Sequence, residues 1–388
     1  MLRLAIVLLL AATVPTAAAH HAPGPIRMAA VLSVTGPAAS VGAPQLKALQ
    51  LYVERLNREG GLLTHKVELN HADDASDPKQ AAEAAKRLAT PENADFLIGG
   101  SVTSTAMAIL PVMQAAKIPY ISIATGSRVT EPGRTWVFRT PPSESMAVLR
   151  ILDDVARAGG KRISLVAMET ESGRTARRDV RQYTDPASVY FRKAGIALGA
   201  DLPFAPGDAG AASRAMEQAL RSADIDAVLV VGFGAAAVAA AQRHRDLGAR
   251  ARLYFSHAAA TPEFLAQAAG AADGARMTVP PMMVVDLLAD ADPQKKAILE
   301  FSAAYKAAYG EDPPPPAGYA VDALMLAANA IREAKSLDFT HMRQALEGTR
   351  AFVGVTGTYN FWATDHRTMD PKSLRLVEIV KGGYKLLD

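Results

Sequence analysis

Three loops rich in hydroxyl side chains each follow an apolar segment in the first third of the chain. The segments have the apolar character of buried parallel strands, and the loops occupy residues 33–37, 99–105 and 123–127. The carboxyl ends of parallel strands meet at one sheet edge, which is where open α/β sheets bind ligands. Hydroxyl groups and the free N–H groups of helix starts together form a receptor for a carboxylate. Each loop alone also fits an ordinary capped helix start, so the prediction depends on all three converging. The candidate side chains are those of Thr35, Ser101, Thr103, Ser104 and Thr125.

A glycine-rich loop further along the chain fits two interpretations. Gly232–Ala237 follows an apolar strand, opens a helix and matches the G-x-G-x-x-A pattern of dinucleotide-binding loops. That pattern also needs an acidic residue at the end of the next strand, roughly 20 residues further on. The next strand here ends at Ser256 and His257, without a carboxylate. We therefore favour a tight strand-to-helix turn that presents Phe233, and keep a dinucleotide-dependent enzyme as an alternative.

Metal and nucleophile chemistry have little support in the sequence. Apart from the pair His20 and His21, no histidine lies at metal-ligand spacing from a second ligand. The absence of cysteine excludes disulfides, thiolate metal sites and cysteine nucleophiles. Neither a G-x-S-x-G elbow nor a Walker loop occurs. We expect a protein that is not an enzyme and needs neither a cofactor nor a metal.

The charge balance gives no reason to expect a nucleic-acid partner. The 388 residues include 42 Lys and Arg against 39 Asp and Glu, and the two signs alternate along the chain. A nucleic-acid-binding surface would need basic residues clustered on one face.

The N-terminus has the pattern of a secretory signal peptide. Arg3 precedes an apolar stretch from Leu4 to Val14, and the alanines at 17–19 form a small-residue cleavage site. The apolar stretch is shorter than the roughly 20 residues that span a bilayer. We expect residues 1–19 to be removed, and the mature chain to work in the periplasm as a monomer.

The mature chain alternates apolar β-type segments with alanine-rich helical segments, which predicts mainly parallel, doubly wound α/β sheets. Asp77 and Pro78 are typical of a helix start, since Asp caps and Pro suits the first helical position. Alternating apolar and polar side chains over Val355–Phe361 and Ser373–Val380 predict antiparallel strands. The candidate parallel strands are Arg27–Val34, Lys66–Asn70, Asp95–Ile98, Tyr120–Ala124, Arg162–Met168, Asp226–Val231, Arg252–Ser256 and Arg276–Val279.

The proline pairs indicate where the chain leaves one sheet for another. One sheet would end near Thr140 and a second would begin near Arg162, so Pro141–Pro142 is interpreted as a crossover. The run Pro313–Pro316 is predicted as a stiff extended connector.

Several short sequence motifs are spread through the mature chain. No single motif is decisive, but their order and spacing together are specific. They are Leu32–Pro37 with Gly42, Asn57–Gly61, Asp73–Pro78, Ile98–Gly100, Val102–Ser104, Ile118–Ser122, Val137–Thr140 and Gly357–Phe361. These phrases resemble the leucine/isoleucine/valine-type periplasmic receptors of ABC transporters, which have the type I periplasmic binding fold. The resemblance covers essentially the whole mature chain.

The resemblance implies an α/β fold of two Rossmann-like lobes with mainly parallel sheets, joined by three crossover segments, with the ligand in the cleft between the lobes. Lobe 1 would comprise residues 26–141 and 275–348, and lobe 2 residues 142–274 and 349–388. Family members hold an amino acid through hydroxyls and an Ala-Thr pair in lobe 1 and an aromatic residue in lobe 2. The matching positions here are Thr103, Ser104, Ala124, Thr125 and Phe233.

Two departures from the family pattern affect the expected ligand. Amino-acid-binding members usually have an acid after the strand that ends at Ser256, where this chain has His257. Members also often have a Tyr-Gly turn after the strand Arg162–Met168, where this chain has a polar stretch from 169 to 186. An ammonium left unpaired in a closed cleft would be costly, so an amine-free carboxylate fits at least as well. Glu169 or Glu171 would keep an amino acid possible by pairing with its ammonium.

Together these features predict an extracytoplasmic solute receptor of an ABC importer. It would bind a small carboxylate-bearing solute, either an amino acid or an aromatic or aliphatic acid, by hinge closure. Its protein partner would be the permease in the inner membrane. The alternatives are the dinucleotide-dependent enzyme and a periplasmic ligand-sensing domain that works with a signalling partner.

Overall fold

The computed structural model describes residues 24–221, 224–366 and 369–387. The predicted signal peptide and the pair His20 and His21 therefore lie outside the described residues. Within these ranges no helix combines the length and the apolar character that crossing a membrane requires.

The first sheet has five strands in the order β2-β1-β3-β4-β5, and every neighbouring pair is parallel. Its strands are β1 (Ile26–Leu32), β2 (Val67–Asp73), β3 (Phe96–Gly99), β4 (Tyr120–Ser122) and β5 (Val137–Arg139). Six helices accompany it: α1 (Ala39–Arg58), α2 (Pro78–Leu88), α3 (Thr103–Ala116), α10 (Pro293–Tyr309), α11 (Pro315–Ala334) and α12 (Phe339–Glu347). Parallel strands with a helix after each of the first three confirm the predicted doubly wound arrangement.

Strand β1 shows why its sequence is apolar throughout. Met28 and Ala30 belong to the core cluster that includes α1 and α11, whereas Ala29 and Val31 belong to the cluster that includes α2 and α3. Successive side chains of a strand point to opposite faces, so a strand covered on both faces needs apolar residues at every position. This continuous run, unlike an alternating one, predicts a central strand.

The second sheet has seven strands in the order β14-β13-β10-β9-β8-β6-β7. Strands β6 to β10 are parallel, and β13 and β14 extend the sheet in antiparallel fashion. The strands are β6 (Arg162–Met168), β7 (Ala197–Phe204), β8 (Ala227–Val231), β9 (Arg252–Phe255), β10 (Arg276–Val279), β13 (Arg375–Val380) and β14 (Gly383–Leu386). Their helices are α4 (Glu144–Arg157), α5 (Glu171–Tyr183), α6 (Val189–Ala194), α7 (Ala209–Ala219), α8 (Gly234–Asp246) and α9 (Pro262–Gln267).

The chain passes between the two sheets three times. Residues 140–143 lead from β5 to α4, residues 280–292 from β10 to α10, and residues 348–374 from α12 to β13. The last segment contains a short hairpin of β11 (Phe352–Val353) and β12 (Thr358–Tyr359). The molecule therefore consists of two α/β lobes joined by three crossing segments, as predicted.

A buried hydrogen-bond network connects the first and third crossing segments. Asp322 of α11 accepts hydrogen bonds from the backbone N–H groups of Val355 and Thr356, at 2.7 and 2.8 Å. The Tyr359 hydroxyl lies 2.8 Å from an Asp322 oxygen and 3.1 Å from the carbonyl oxygen of Thr140. Burial raises the pKa of Asp322 to about 6, although these hydrogen bonds favour its ionised form. Asp322 thus anchors the third segment directly, and the Tyr359 hydroxyl links the first segment to it.

The sequence predicted the start of α2 correctly but not the start of α11. Asp77 caps α2 by accepting from the N–H groups of Lys79 and Gln80, which confirms the predicted helix start. The proline run is only partly extended, because Pro315 begins α11, where the first helical turn tolerates a residue without N–H.

Two further features differ from the expectations. The polar stretch from 169 to 186 contains α5, which Thr170 caps and whose few apolar residues, such as Val180, face the core. Strand β10 was expected to open the part of lobe 1 that starts at residue 275, but it pairs with β9 and β13 in the second sheet. Hydrogen bonding on both of its edges fixes β10 there, and the chain returns towards the first sheet only after Val279. The remaining lobe boundaries stay a prediction.

Candidate functional site

The loop after β1 is held by the loop after β2. Asp73 accepts hydrogen bonds from the N–H groups of Val34 and Thr35 and, at 2.6 Å, from the Thr35 hydroxyl. Gly36 has a φ of +79°, and a Cβ there would lie 2.2 Å from the carbonyl oxygen of Ala75, so only glycine fits. The Thr35 hydroxyl is therefore exposed but engaged in shaping this loop.

Ser101 lies beneath the surface of the predicted site. Its side chain is buried, its hydroxyl accepts from the N–H of Ser33 at 3.0 Å, and it donates to the Gln45 side chain at 2.6 Å. Both of these bonds are internal to the lobe. Ser101 thus joins the loops after β1 and β3, and its hydroxyl positions the loop that presents Thr103.

The loops after β3 and β4 meet at the start of α3. Thr103 is the first residue of α3, and Ser104, the next, is exposed. A Cβ on Gly126 would lie 2.4 Å from Cγ2 and 2.6 Å from Oγ1 of Thr103, so the loop after β4 packs directly against the helix start. The first N–H groups of a helix have no intrahelical partner and attract anions. Thr103, Ser104 and the neighbouring loop thus lie together at this helix start, as the sequence predicted.

The buried guanidinium group of Arg139 holds the backbone of Thr125 in place. Ala124 is buried, whereas Thr125 is half-buried, and its carbonyl oxygen accepts a hydrogen bond from Nη1 of Arg139 at 3.0 Å. Arg139 ends β5 and is only 2% exposed. Sequence reasoning quoted Arg139 as part of a phrase but assigned it no role in the site.

The second lobe contributes Phe233 at the start of α8. Its side chain is 51% exposed, and Gly234, the first residue of α8, has a φ of +60°. A Cβ on Gly232 would come within 3.1 Å of the Phe204 ring. Packing against Phe204 thus explains why residue 232 is glycine, and the positive φ explains why residue 234 is glycine.

His257 follows β9 and begins a single turn of 3-10 helix, His257–Ala259. The residue is half-buried, and its Nδ1 is buried with no hydrogen-bond partner among the described residues. Burial, assisted by the positive charge of Arg139, lowers the pKa of His257 to about 4. The imidazole is therefore neutral at neutral pH, and the charge of Arg139 reaches it from the other lobe.

Glu171 lies in the first turn of α5 and is half-buried. Its carboxylate pairs with Arg174 of the same helix at 3.2 Å. One turn further on, the Thr175 hydroxyl lies 3.2 Å from the hydroxyl of Ser127 in the loop after β4. Glu169, the other acid that the sequence suggested as an ammonium partner, is exposed.

Sequence reasoning missed a buried acid, Glu144, at the first residue of α4. It is 3% exposed, and neither carboxyl oxygen has a hydrogen bond of normal geometry among the described residues, although the Ser256 hydroxyl lies nearby. Burial raises the pKa of Glu144 to about 8, opposed by Ser256 and assisted by the charge of Asp179. In the sequence it looks like an ordinary acid in a first helical turn.

One contact and one charge effect show that the loop-bearing edges of the sheets face each other. Ser127 and Thr175 touch through their hydroxyls, and Arg139 at the end of β5 acts electrostatically on His257 at the end of β9. A cavity of about 520 Å³ adjoins this contact and is lined from both lobes, for example by Ser127 and Asp179. The structure therefore brings Thr103, Thr125 and His257 to facing edges. Among the described residues Glu171 pairs with Arg174 of its own helix, and the Phe233 side chain stays exposed.

Across the described ranges, no group of three or more acidic, histidine or cysteine side chains could hold a metal ion. Hydroxyls, helix-start N–H groups and one imidazole can bind and orient a polar solute, and the structure places them at the interface of two lobes. Two α/β lobes with such loops at facing edges, joined by three crossing segments, are the architecture of a solute receptor. The chain belongs to the periplasmic binding protein family, whose model matches residues 25–384.

Known relatives carry names from the same class. "Leu/Ile/Val-binding protein BraC3" of Rhizobium johnstonii is 26% identical over 255 residues, which are 65% of this chain and 67% of that protein. "Leu/Ile/Val-binding protein homolog 3" of Brucella melitensis is 34% identical over 131 residues, 34% of this chain. That match spans only 35% of the Brucella protein's length.

Solved structures are similar over nearly the whole chain. An extracellular ligand-binding receptor from Rhodopseudomonas palustris HaA2 has a TM-score of 0.78 at 25% identity, covering 94% of this chain and 100% of that one. The branched-chain amino acid transporter substrate binding protein LivJ of Streptococcus pneumoniae, in complex with isoleucine, has a TM-score of 0.71 at 24% identity. It covers 94% of this chain and 98% of that one, and it shows the similarity of the fold alone.

Proposed function

We propose that this protein is the periplasmic solute receptor of an ABC importer and binds a small carboxylate-bearing organic solute by closure of its two lobes. The observation that carries the proposal is the helix start of α3, where Thr103 and Ser104 lie beside the loop of Thr125 at an edge that faces the second lobe. The family membership supports a receptor, and the carboxylate follows from the hydroxyls and N–H groups of this helix start.

The proposed mechanism is a hinge movement. The solute binds first to the loops of lobe 1, and rotation about the three crossing segments brings the loops of lobe 2 over it. Only the difference in affinity between the closed and open forms can drive this rotation. The closed molecule would then dock on a permease, in keeping with the membership of the chain in the periplasmic binding protein family.

Calorimetry on single-site variants tests the carboxylate site. Each of Thr103→Ala, Ser104→Ala and Thr125→Ala is expected to weaken the binding of a carboxylate ligand by about 1–3 kcal/mol without unfolding the protein, because each removes a hydroxyl donor. Thr340→Ala, on the exposed face of α12, is the matched control and should bind as the unaltered protein does. Unchanged affinity in all three site variants would remove the proposed carboxylate site.

The same purified protein distinguishes a receptor from a dinucleotide-dependent enzyme. A screen of thermal unfolding midpoints should show that an organic acid raises the midpoint and that NAD does not. The reason is that packing and backbone conformation already account for Gly232 and Gly234, without a bound pyrophosphate. A clear rise of the midpoint with NAD would favour the enzyme instead.

A further inference from the structure

Gln45 is a polar residue on the buried face of helix α1, where a helix of a globular protein carries mostly apolar side chains. Its neighbours on that face include Ala48, Leu49 and Tyr52, and its own side chain has no solvent exposure. Burying an amide costs free energy unless the amide is hydrogen-bonded, so a residue of this kind needs a specific partner. Among the described residues the partner of its side chain is the hydroxyl of Ser101.

The hydrogen bond to Gln45 fixes the direction in which the Ser101 hydroxyl points. A serine hydroxyl has one hydrogen to donate and accepts through its lone pairs. Ser101 donates to Oε1 of Gln45 at 2.6 Å and accepts from the N–H of Ser33 at 3.0 Å. Because the hydrogen is directed at Gln45, the lone pairs are left for Ser33. Helix α1 and the loop after β1 therefore hold Ser101 from two sides.

Helix α1 reaches this loop because it packs directly on the backbone of Ser33. A Cβ on Gly42 would lie 2.1 Å from the carbonyl oxygen of Ser33, so only glycine allows this approach. Gln45 follows Gly42 by three residues, which places both on the same face of the helix. The contact between Gln45 and Ser101 is thus set by the packing of a whole helix and not by one flexible side chain.

Ser101 lies two residues before Thr103, where the proposed solute site begins. The intervening loop is tightly packed, since a Cβ on Gly100 would lie 2.5 Å from Cα of Ala106 in the second turn of α3. A displacement of Ser101 in so close-packed a loop moves the start of α3 with it. Gln45 is therefore connected to Thr103 and its neighbours through one hydroxyl group.

We propose that Gln45 is a positioning residue of the solute site, which acts through Ser101 to hold the hydroxyls and N–H groups at the start of α3 in the geometry that binds a carboxylate. This inference rests on the proposed receptor function and adds to it a residue that does not contact the solute. It also explains why a core position of α1 contains an amide, because local rules of packing are broken mainly where a side chain serves a site.

Binding measurements on Gln45→Met test the proposal, because methionine conserves the volume and removes the amide oxygen that accepts from Ser101. The probes are L-isoleucine, L-phenylalanine, 4-methylpentanoate and benzoate, each titrated by calorimetry into the unaltered protein and the variants. The probe that binds most tightly is expected to lose about 3- to 10-fold in affinity, the range of one neutral hydrogen bond. Gln50→Met, on the exposed face of the same helix, is the matched control and should bind as the unaltered protein does.

Two readouts separate positioning from a merely structural role. In a Ser101→Ala background, Gln45→Met should cause no further loss of affinity, because the two residues act through one hydrogen bond. The denaturant midpoint of Gln45→Met should stay close to that of the unaltered protein. The reason is that the variant also removes an amide nitrogen that is buried without a partner among the described residues, which offsets the lost bond. A structural role would instead lower the midpoint and the affinity together.

Hydrogen–deuterium exchange in the absence of solute provides a third measurement, which does not depend on a known ligand. Peptides that cover residues 99–106 should exchange faster in Gln45→Met than in the unaltered protein, whereas peptides from α12 should exchange equally in both. Should Gln45→Met fold poorly, Ser101→Ala removes the same hydrogen bond and should cause the same local change.

The possible results separate the two proposals. Unchanged affinity in Gln45→Met, losses of affinity that simply add in the double variant, or unchanged exchange over residues 99–106 would overturn the positioning role but leave the receptor intact. Absence of binding by every probe to the unaltered protein would contradict the receptor function, and the exchange of residues 99–106 would then decide whether Gln45 holds the loop.

Discussion

Glu144 offers the sharpest test of the electrostatics described above. The change is Glu144→Gln, which keeps the shape of the protonated acid and removes its ability to ionise. In the folded protein the pKa of Glu144 is raised to about 8 from an ordinary value of 4.5, chiefly by burial. A group with a raised folded pKa contributes stability that is present below its unfolded pKa and is lost as the pH rises through its folded pKa. The unaltered protein should therefore lose stability between about pH 5 and about pH 8, and the variant should escape this loss.

The magnitude follows from the width of that window. Each pH unit between the unfolded and folded pKa values changes the free energy of unfolding by about 1.4 kcal/mol, which sets an upper limit near 5 kcal/mol. We expect about 2–3 kcal/mol, because water that reaches the ionised carboxylate lowers the penalty. The variant should thus gain that amount relative to the unaltered protein on going from about pH 5 to about pH 8.

Denaturant unfolding followed by the fluorescence of the two tryptophans would measure this difference at several pH values. Glu263→Gln is the matched control, since Glu263 is also an acid in a first helical turn but is exposed. Its unfolding free energy should follow that of the unaltered protein at every pH. Parallel curves for Glu144→Gln and the unaltered protein over the whole range would refute the argument that Glu144 is buried in its protonated form.

Two further predictions follow from contacts between distant segments. The double variant Ser127→Cys, Thr175→Cys places the only two cysteines of the chain where hydroxyls now lie 3.2 Å apart, so oxidation should cross-link the lobes and slow ligand release. A non-reducing gel and a release assay would check this, with each single variant as a control, and failure to cross-link would mean that the lobes do not meet there. Asp322→Asn should reduce the free energy of unfolding by about 2–4 kcal/mol, since the amide cannot replace the carboxylate towards two N–H groups and the Thr356 hydroxyl. A loss below about 1 kcal/mol in a denaturant titration would contradict that role.

The parallel core could be predicted from the sequence because its signals are local. Runs such as Ala227–Val231 are apolar at every position, and only strands buried on both faces need that pattern. Strand β7 was missed because it lies at the edge of the second sheet, is mostly half-buried and contains Gly199 and Pro203. Helix α5 was missed because its buried face is narrow and its sequence is largely charged.

The candidate site was likewise predictable where its residues depend on local sequence signals, and not where they depend on the packing of distant segments. Thr103 and Thr125 lie only a few residues beyond the ends of β3 and β4, and the geometry of a parallel sheet brings such positions to one edge. The sequence offered no sign that Arg139 would lie beneath Thr125 or that its charge would reach His257, because these relations depend on how two separate sheets face each other. The burial of Glu144 likewise depends on the packing of α4 in the second lobe, which no local pattern shows.

The chain of hydrogen bonds from Asp322 through the Tyr359 hydroxyl to the carbonyl oxygen of Thr140 has a consequence for the proposed movement of the lobes. Because the third connecting segment is fastened to Asp322 of α11 and the first is fastened to the third through Tyr359, the two bend from one common pivot and cannot slide past each other. Solutes of different bulk would then change how far the halves swing together, but not the path along which they approach. A membrane partner that recognises the closed form could therefore respond to the extent of closure, while the surface that it contacts stays the same for every solute.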